Sequence, residues 1–179
     1  MSHPSPPPPA KLVIGVFLKE KEMLPVVVTE LCRQFGALDM VSPWFRFDYT
    51  DYYKAEMGGP LSRRLLVFRH LIDQERLVAI KHSTNKLETR YAAQGRRCIN
   101  IDPGYLLLER FVLATGKNYT HRIHIGQGIY ADLTLMYQKG EYQPLPWTYP
   151  DYAADEMRAF LAIARRKYGA DIGSVLNLD

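Results

Sequence analysis

The chain has 179 residues, of which 47% are hydrophobic and 23% charged, with a formal net charge of +4 and a pI of about 9.0. These values suit one globular domain large enough to bury a substantial core. No apolar run approaches the ~20 residues that span a bilayer. The basic excess falls well short of the dense stripe of a dedicated nucleic-acid binder.

The chain opens on MSHPSPPPPAK. It has no apolar h-region, so no signal peptide is expected. A proline run cannot enter a helix or sheet interior, so residues 1–10 are expected to be an extended, disordered tail to a single domain over 11–179. KLVIGVFLK (11–19) reads as a buried strand. Leu24, Val27, Val28, Leu31 and Phe35 then recur at helical spacing, with Pro25 in the first turn and Gly36 just past the end. In SPWFRFDYT, Phe45, Phe47 and Tyr49 alternate with Arg46, Asp48 and Thr50, as in a strand. A Gly-Gly-Pro break at 58–60 precedes the strand-like RRLLVFRHLI. Asp73 is placed to cap a helix whose stripe is Leu77, Ile80, Thr84, Leu87 and Tyr91, with Gly95 as its end. RCINID alternates again, and Asp102-Pro103-Gly104 reads as the turn that ends it.

That order is strand, helix, strand, strand, helix, strand. It predicts an α+β fold with a ferredoxin-like βαββαβ core, an antiparallel sheet carrying both helices on one face. RFVLAT, THRIHI and IYADLTLMY extend it as a β-meander. A final helix carries Met157, Phe160, Leu161, Ala164 and Tyr168 on one stripe, with Asp151, Asp155 and Glu156 early, Arg165 to Lys167 late, and Gly169 as the stop. Cys32 and Cys98 lack C-x-x-C spacing and are expected to be buried free thiols of a cytoplasmic protein.

The polar residues point to a site. In THRIHIGQGIYADL a three-residue loop at 126–128 pairs Ile125 with Ile129, Ile123 with Ala131, and Arg122 with Asp132. Arg122, His124, Tyr130, Asp132 and Thr134 then share a polar face, and His121, Ile123 and Ile125 an apolar one. Histidines on opposite faces cannot converge on one metal, so no metal site is expected there. Asp102 and His124 are candidates for acid–base catalysis, with Asp48 beside an aromatic-rich loop as a third. Arg122 is a candidate anion ligand. Lys81 and Asn85 share a helix face with Glu88 and are candidate ligand contacts, although a solvated face explains them more simply. Tyr52 and Trp147 are candidate binding aromatics. The start of the last helix is a further anion site for which Asp151 competes. Asp102, Arg122 and His124 are expected in one pocket.

TDYYKAEMG, IKHSTNKLE, INIDPGYL, HRIHIGQGIYADLTL and PWTYPDY together resemble, in order and along nearly the whole chain after the tail, the bacterial domain family of unknown function numbered 4416. The resemblance implies a single domain of about this length and supplies no catalytic residues to carry over. Some members are labelled GTP-binding, but no G-x-x-x-x-G-K-[ST] phosphate loop occurs here. The function expected is an enzyme or nucleotide-responsive protein binding a small phosphorylated or carboxylated ligand. The rival is a non-catalytic RNA- or protein-binding module, motivated by the basic charge and by Tyr52, Tyr53 and Trp147. The sequence names no cofactor.

Overall fold

In a computed structural model of the chain, residues 3–47, 61–93 and 96–176 are described. The expectations for Asp48, Tyr52 and Gly95 lie outside them. The elements run β1 (Ala10–Leu18), α1 (Leu24–Phe35), β2 (Leu38–Val41), β3 (Phe45–Phe47), β4 (Leu61–Ile72), α2 (Leu77–Arg90), β5 (Ile99–Leu106), β6 (Arg110–Thr115), β7 (Arg122–Gly126), β8 (Ile129–Gln138), β9 (Glu141–Pro144), a one-turn α3 (Pro150–Ala153) and α4 (Asp155–Leu176). The fold is α+β. All strands join one antiparallel sheet in the order β2-β4-β1-β5-β6-β8-β7, with β3 also on β4 and β9 also on β8.

Every residue of β1 is buried, so its strand must be covered on both faces. Leu12, Ile14 and Val16 share the face of α1, whose Phe35 meets Phe68 edge-on at 5.9 Å. α2 packs on β5 on that side, through Ile80 and Leu87. Lys11, Gly15 and Phe17 face the other way, toward α3 and α4. Lys11 is fully buried there, held by Asp171, by Asp39 at 2.7 Å and by the Arg69 carbonyl at 3.2 Å. The Tyr152 hydroxyl lies 3.1 Å from where a Cβ on Gly15 would sit.

Several expectations are corrected. Asp102, Pro103 and Gly104 lie inside β5 rather than in a turn. Gly169 does not stop α4, because Tyr168, Asp171 and Ile172 are all anchored around it, and packing outweighs the ~1 kcal/mol a mid-helix glycine costs. Asp73 makes no side-chain cap. The tail is tied down before residue 10: the Pro8 carbonyl accepts from Gln74, the Pro9 carbonyl accepts from the Tyr168 hydroxyl, and Ala10 pairs with Ile72. Strands β2 and β9 are additions to the expected order. Cys32 and Cys98 are free thiols, half-buried rather than buried. Among the described residues no helix is long and apolar enough to cross a membrane.

Candidate functional site

The site begins where the sheet splits. β5 and β6 pair only through Gly104–Leu106 and then part, although β5 continues back to Ile99. Pro103 supplies the reason. Backbone groups alternate along a strand, so the Pro103 nitrogen faces the same edge as the Ile101 N–H, toward β6, and it has no hydrogen to donate. At Gly104 the strands cross so closely that a Cβ would sit 2.4 Å from the Val112 carbonyl oxygen.

The orphaned edge of β5 is capped by α2. The Glu88 carboxylate accepts the Ile101 N–H at 2.5 Å, and the Lys81 ammonium donates to the Ile101 carbonyl at 3.0 Å. Lys81, Asn85 and Glu88 do share a helix face, as their spacing predicts. That face is not solvated, because Lys81 and Glu88 are both buried against this edge. Burial pushes the Glu88 carboxyl above the ordinary range, against the pull of Lys81.

The gap opens a cleft of about 430 Å³, within the range of small-molecule sites. Its floor is buried. The Arg63 guanidinium lies 3.6 Å from the centroid of the Phe17 ring and 4.3 Å from that of Tyr152, is held by Asp151, and comes within 3.5 Å of Asp102. Burial raises the Asp151 carboxyl, while Arg63 draws it back. Asp102 stands between Arg63 and Lys81, whose ammonium is 3.8 Å from its other oxygen. Asn100 lies two residues before Asp102 on the same strand face.

The mouth is more open. Thr115, Gly116 and Lys117 line it, with Arg122 donating to Asp132 at 2.9 Å and to the Lys117 carbonyl at 3.2 Å. Trp147 and Tyr149 also line the cleft. Their segment is fastened to β8, because Trp147 Nε1 donates to the Leu133 carbonyl at 2.8 Å and Thr148 Oγ1 to the Thr134 carbonyl at 2.6 Å. Five cationic side chains (Arg63, Lys81, Arg97, Lys117, Arg122) meet three carboxylates (Glu88, Asp102, Asp132) around the cleft.

Of the residues singled out from sequence, Asp102, Arg122, Lys81, Asn85 and Trp147 therefore converge. His124 does not. It is exposed near the hairpin tip, where Nε2 accepts the Gly128 N–H at 3.3 Å and the ring sits 5.2 Å from that of Tyr130. The hairpin register holds at Arg122–Asp132, Ile123–Ala131 and His124–Tyr130, but a bulge replaces the Ile125–Ile129 pair with Gly126–Ile129. Gly126, Gln127 and Gly128 all take positive φ. Ile123 and Ile125 face outward on this edge strand, so the expected apolar face is exposed. His121 precedes β7 and escapes its alternation. It meets Asp132 at 3.3 Å and stacks on Trp147 at 5.1 Å.

The last helix offers no anion site at its start, because α3 is a single turn and Asp151 turns inward to Arg63. Among the described residues no cluster of three His, Cys, Asp or Glu side chains forms that would hold a metal. Arg63, Lys117, Tyr149 and Tyr152 were not foreseen. Arg63 carried a partial signal, since it shares strand parity with Leu61 and Leu65, but Arg64 shares it equally with Leu66 and Phe68.

No curated protein and no solved structure matches the chain. The profile of the family described as Domain of unknown function (DUF4416) matches residues 8–168. That match spans most of the chain, which therefore belongs to this family.

Proposed function

We propose that the cleft between β5 and β6 binds a small phosphorylated or carboxylated ligand. One observation carries this reading. The sheet is pried open at Pro103, and the gap is lined with five cations against three carboxylates, Arg63 and Lys81 among the cations deeply buried, rather than filled with apolar side chains. Burying charge is costly, and a fold with no use for the gap is better served by aliphatic packing. Asp102 is the group placed to take a proton from such a ligand, its carboxylate partly exposed between two cations. The scaffold is, in this reading, a ferredoxin-like split βαβ formed by β1, α1, β3, β4, α2 and β5, to which the β6–β9 meander adds the cleft's second wall. The two free thiols fit a cytoplasmic setting.

Differential scanning fluorimetry tests it. Phosphosugars, nucleotides, pyrophosphate and citrate at millimolar concentration should include at least one compound that raises Tm. A ligand at a hundred times its Kd stabilises by about 2.7 kcal/mol. The shift should shrink in the double variant Lys117→Ala, Arg122→Ala. If no anion moves the wild-type Tm, the cleft is not an anion site.

A further inference from the structure

We propose that the cleft takes a phosphorylated polyol, with the phosphate at the mouth against Lys117 and Arg122 and the hydroxyls on the floor against Asn100 and Asp102. This rests on the anion-site reading and adds the chemistry of the ligand's other end.

The floor specifies hydroxyls through the orientation of one amide. Asn100 is 3% exposed, and its Oδ1 accepts from Arg97 Nη1 at 2.9 Å. A guanidinium only donates, so the amide oxygen must face Arg97 and the NH₂ group must face away. That NH₂ group has no acceptor among the described residues. A buried donor left unmatched is costly, so the position calls for an acceptor beyond the described residues. Asp102 stands about 6.6 Å further along the same face, two residues at the strand rise. Its carboxylate, flanked by Arg63 and Lys81, offers acceptor oxygens.

The floor therefore offers a donor and an acceptor within the width of one sugar ring. A second phosphate or a carboxylate would meet Asp102 as like charge. An alkyl chain would leave Asn100 unmatched. A hydroxyl both donates and accepts, and a row of them answers both groups. At the mouth Lys117 is exposed, so a phosphate there keeps part of its hydration, while the Arg122 side chain beside it is 12% exposed. Trp147 and Tyr149 also line the cleft, 38% and 46% exposed; one Trp147 face is stacked on His121, and the exposed remainder of these rings is surface on which a sugar or a base can lie.

Isothermal titration of the full chain with inorganic phosphate, ribose 5-phosphate, glucose 6-phosphate, adenosine monophosphate and citrate tests this. At least one phosphorylated polyol should bind ten-fold or more tighter than inorganic phosphate. Asn100→Leu and Asp102→Asn should each erase that excess without lowering phosphate affinity. Asp102 is partly exposed, so its variant keeps the test alive if Asn100→Leu fails to fold. Adenosine monophosphate binding ten-fold tighter than ribose 5-phosphate, with the gain lost in Trp147→Ala, identifies the polyol as a nucleotide's ribose. Equal affinities identify a sugar phosphate. If phosphate and every phosphorylated polyol bind alike, or if citrate alone binds, the polyol assignment is overturned and the anion-site reading stands. If the excess survives both floor variants, the placement of the hydroxyls is overturned. If nothing binds, both readings fall.

Discussion

Glu88 holds the split edge of the sheet, and its replacement measures how much that hold contributes. In Glu88→Leu the Ile101 N–H keeps its place in a buried strand and loses its acceptor. A hydrogen bond to a charged group contributes ~1.5–3 kcal/mol, and a stranded buried donor costs about 1–3 kcal/mol. These overlap, and leucine also recovers part of the cost of burying a carboxylate. The expected loss is about 2–3 kcal/mol by urea denaturation at pH 7, with faster hydrogen exchange at the Ile101 amide. Glu88→Gln keeps a carbonyl oxygen for that amide and should cost less than about 1 kcal/mol. The two also differ from wild type in pH dependence. Burial holds the Glu88 carboxyl above its ordinary value of ~4.3, so between that value and the raised one the folded chain binds the extra proton. Stability from this group therefore falls as pH rises through that window, and Glu88→Gln should remove the slope. A cost below about 0.5 kcal/mol for Glu88→Leu, the range of surface changes, with unaltered exchange at Ile101, would refute the role given to Glu88.

Phe160→Ala should cost about 3–5 kcal/mol, because the ring is 7% exposed within the main core; a loss under ~1 kcal/mol by chemical denaturation would remove it from that core. Lys11→Met should cost about 3–5 kcal/mol by leaving Asp39 and Asp171 facing each other with only Lys167 between them. Burial pushes both of those carboxyls up, but Lys11 and Lys167 hold them below the ordinary range; the stability they contribute is present above ~4 and lost as pH falls through the lowered values, and this acid limb should flatten in Lys11→Met. Gly104→Ala places a Cβ against backbone that cannot swing aside, and should cost about 1–3 kcal/mol by thermal denaturation, where no change would mean the strands have room. Removing residues 1–7 should leave Tm unchanged while removing 1–10 lowers it, since Pro8, Pro9 and Ala10 are bonded to the domain; equal Tm for the two truncations would show those bonds idle.

Where hydrophobic period and strand parity act alone, the sequence is legible. The stripe Leu77, Ile80, Thr84, Leu87 is buried as its spacing predicts, and Arg122 opposes Asp132 as charge pairing requires. β6 runs over Arg110–Thr115, the run RFVLAT that reads as a short strand. Legibility fails where a local signal has two structural uses. Pro-Gly after an aspartate is a turn in most contexts, and nothing within INIDPGYL says that β1 lies alongside and keeps the strand extended through it. Gly169 looks like a helix stop until Asp171 and Ile172 are seen bonded and packed beyond it. Lys11 looks like the charged flank of a strand, and only the return of α4, 160 residues later, makes it a buried ion pair.

The site was legible in its pieces and not in its closure, for the same reason. Asn100 and Asp102 stand opposite Ile99 and Ile101 by parity alone, so a polar face on β5 follows from the sequence. What covers it does not. Proline in a strand is tolerated where no neighbour needs its hydrogen, and at position 103 that condition is met by ending the ladder with β6. Once the ladder ends, the Ile101 peptide needs partners, and a lysine and a glutamate seven residues apart on α2 span two turns, about 10.5 Å, to reach it from both sides. The same two side chains would read as a solvated stripe on any helix not packed against a broken edge. His124 fails for the converse reason. Its face was read correctly, but a cleft only as long as the split takes in Arg122 at the start of β7 and leaves a residue about 6.6 Å nearer the tip to cap its own turn. Parity decides which way a side chain points; how far along the strand the partner runs decides whether anything is there to meet it.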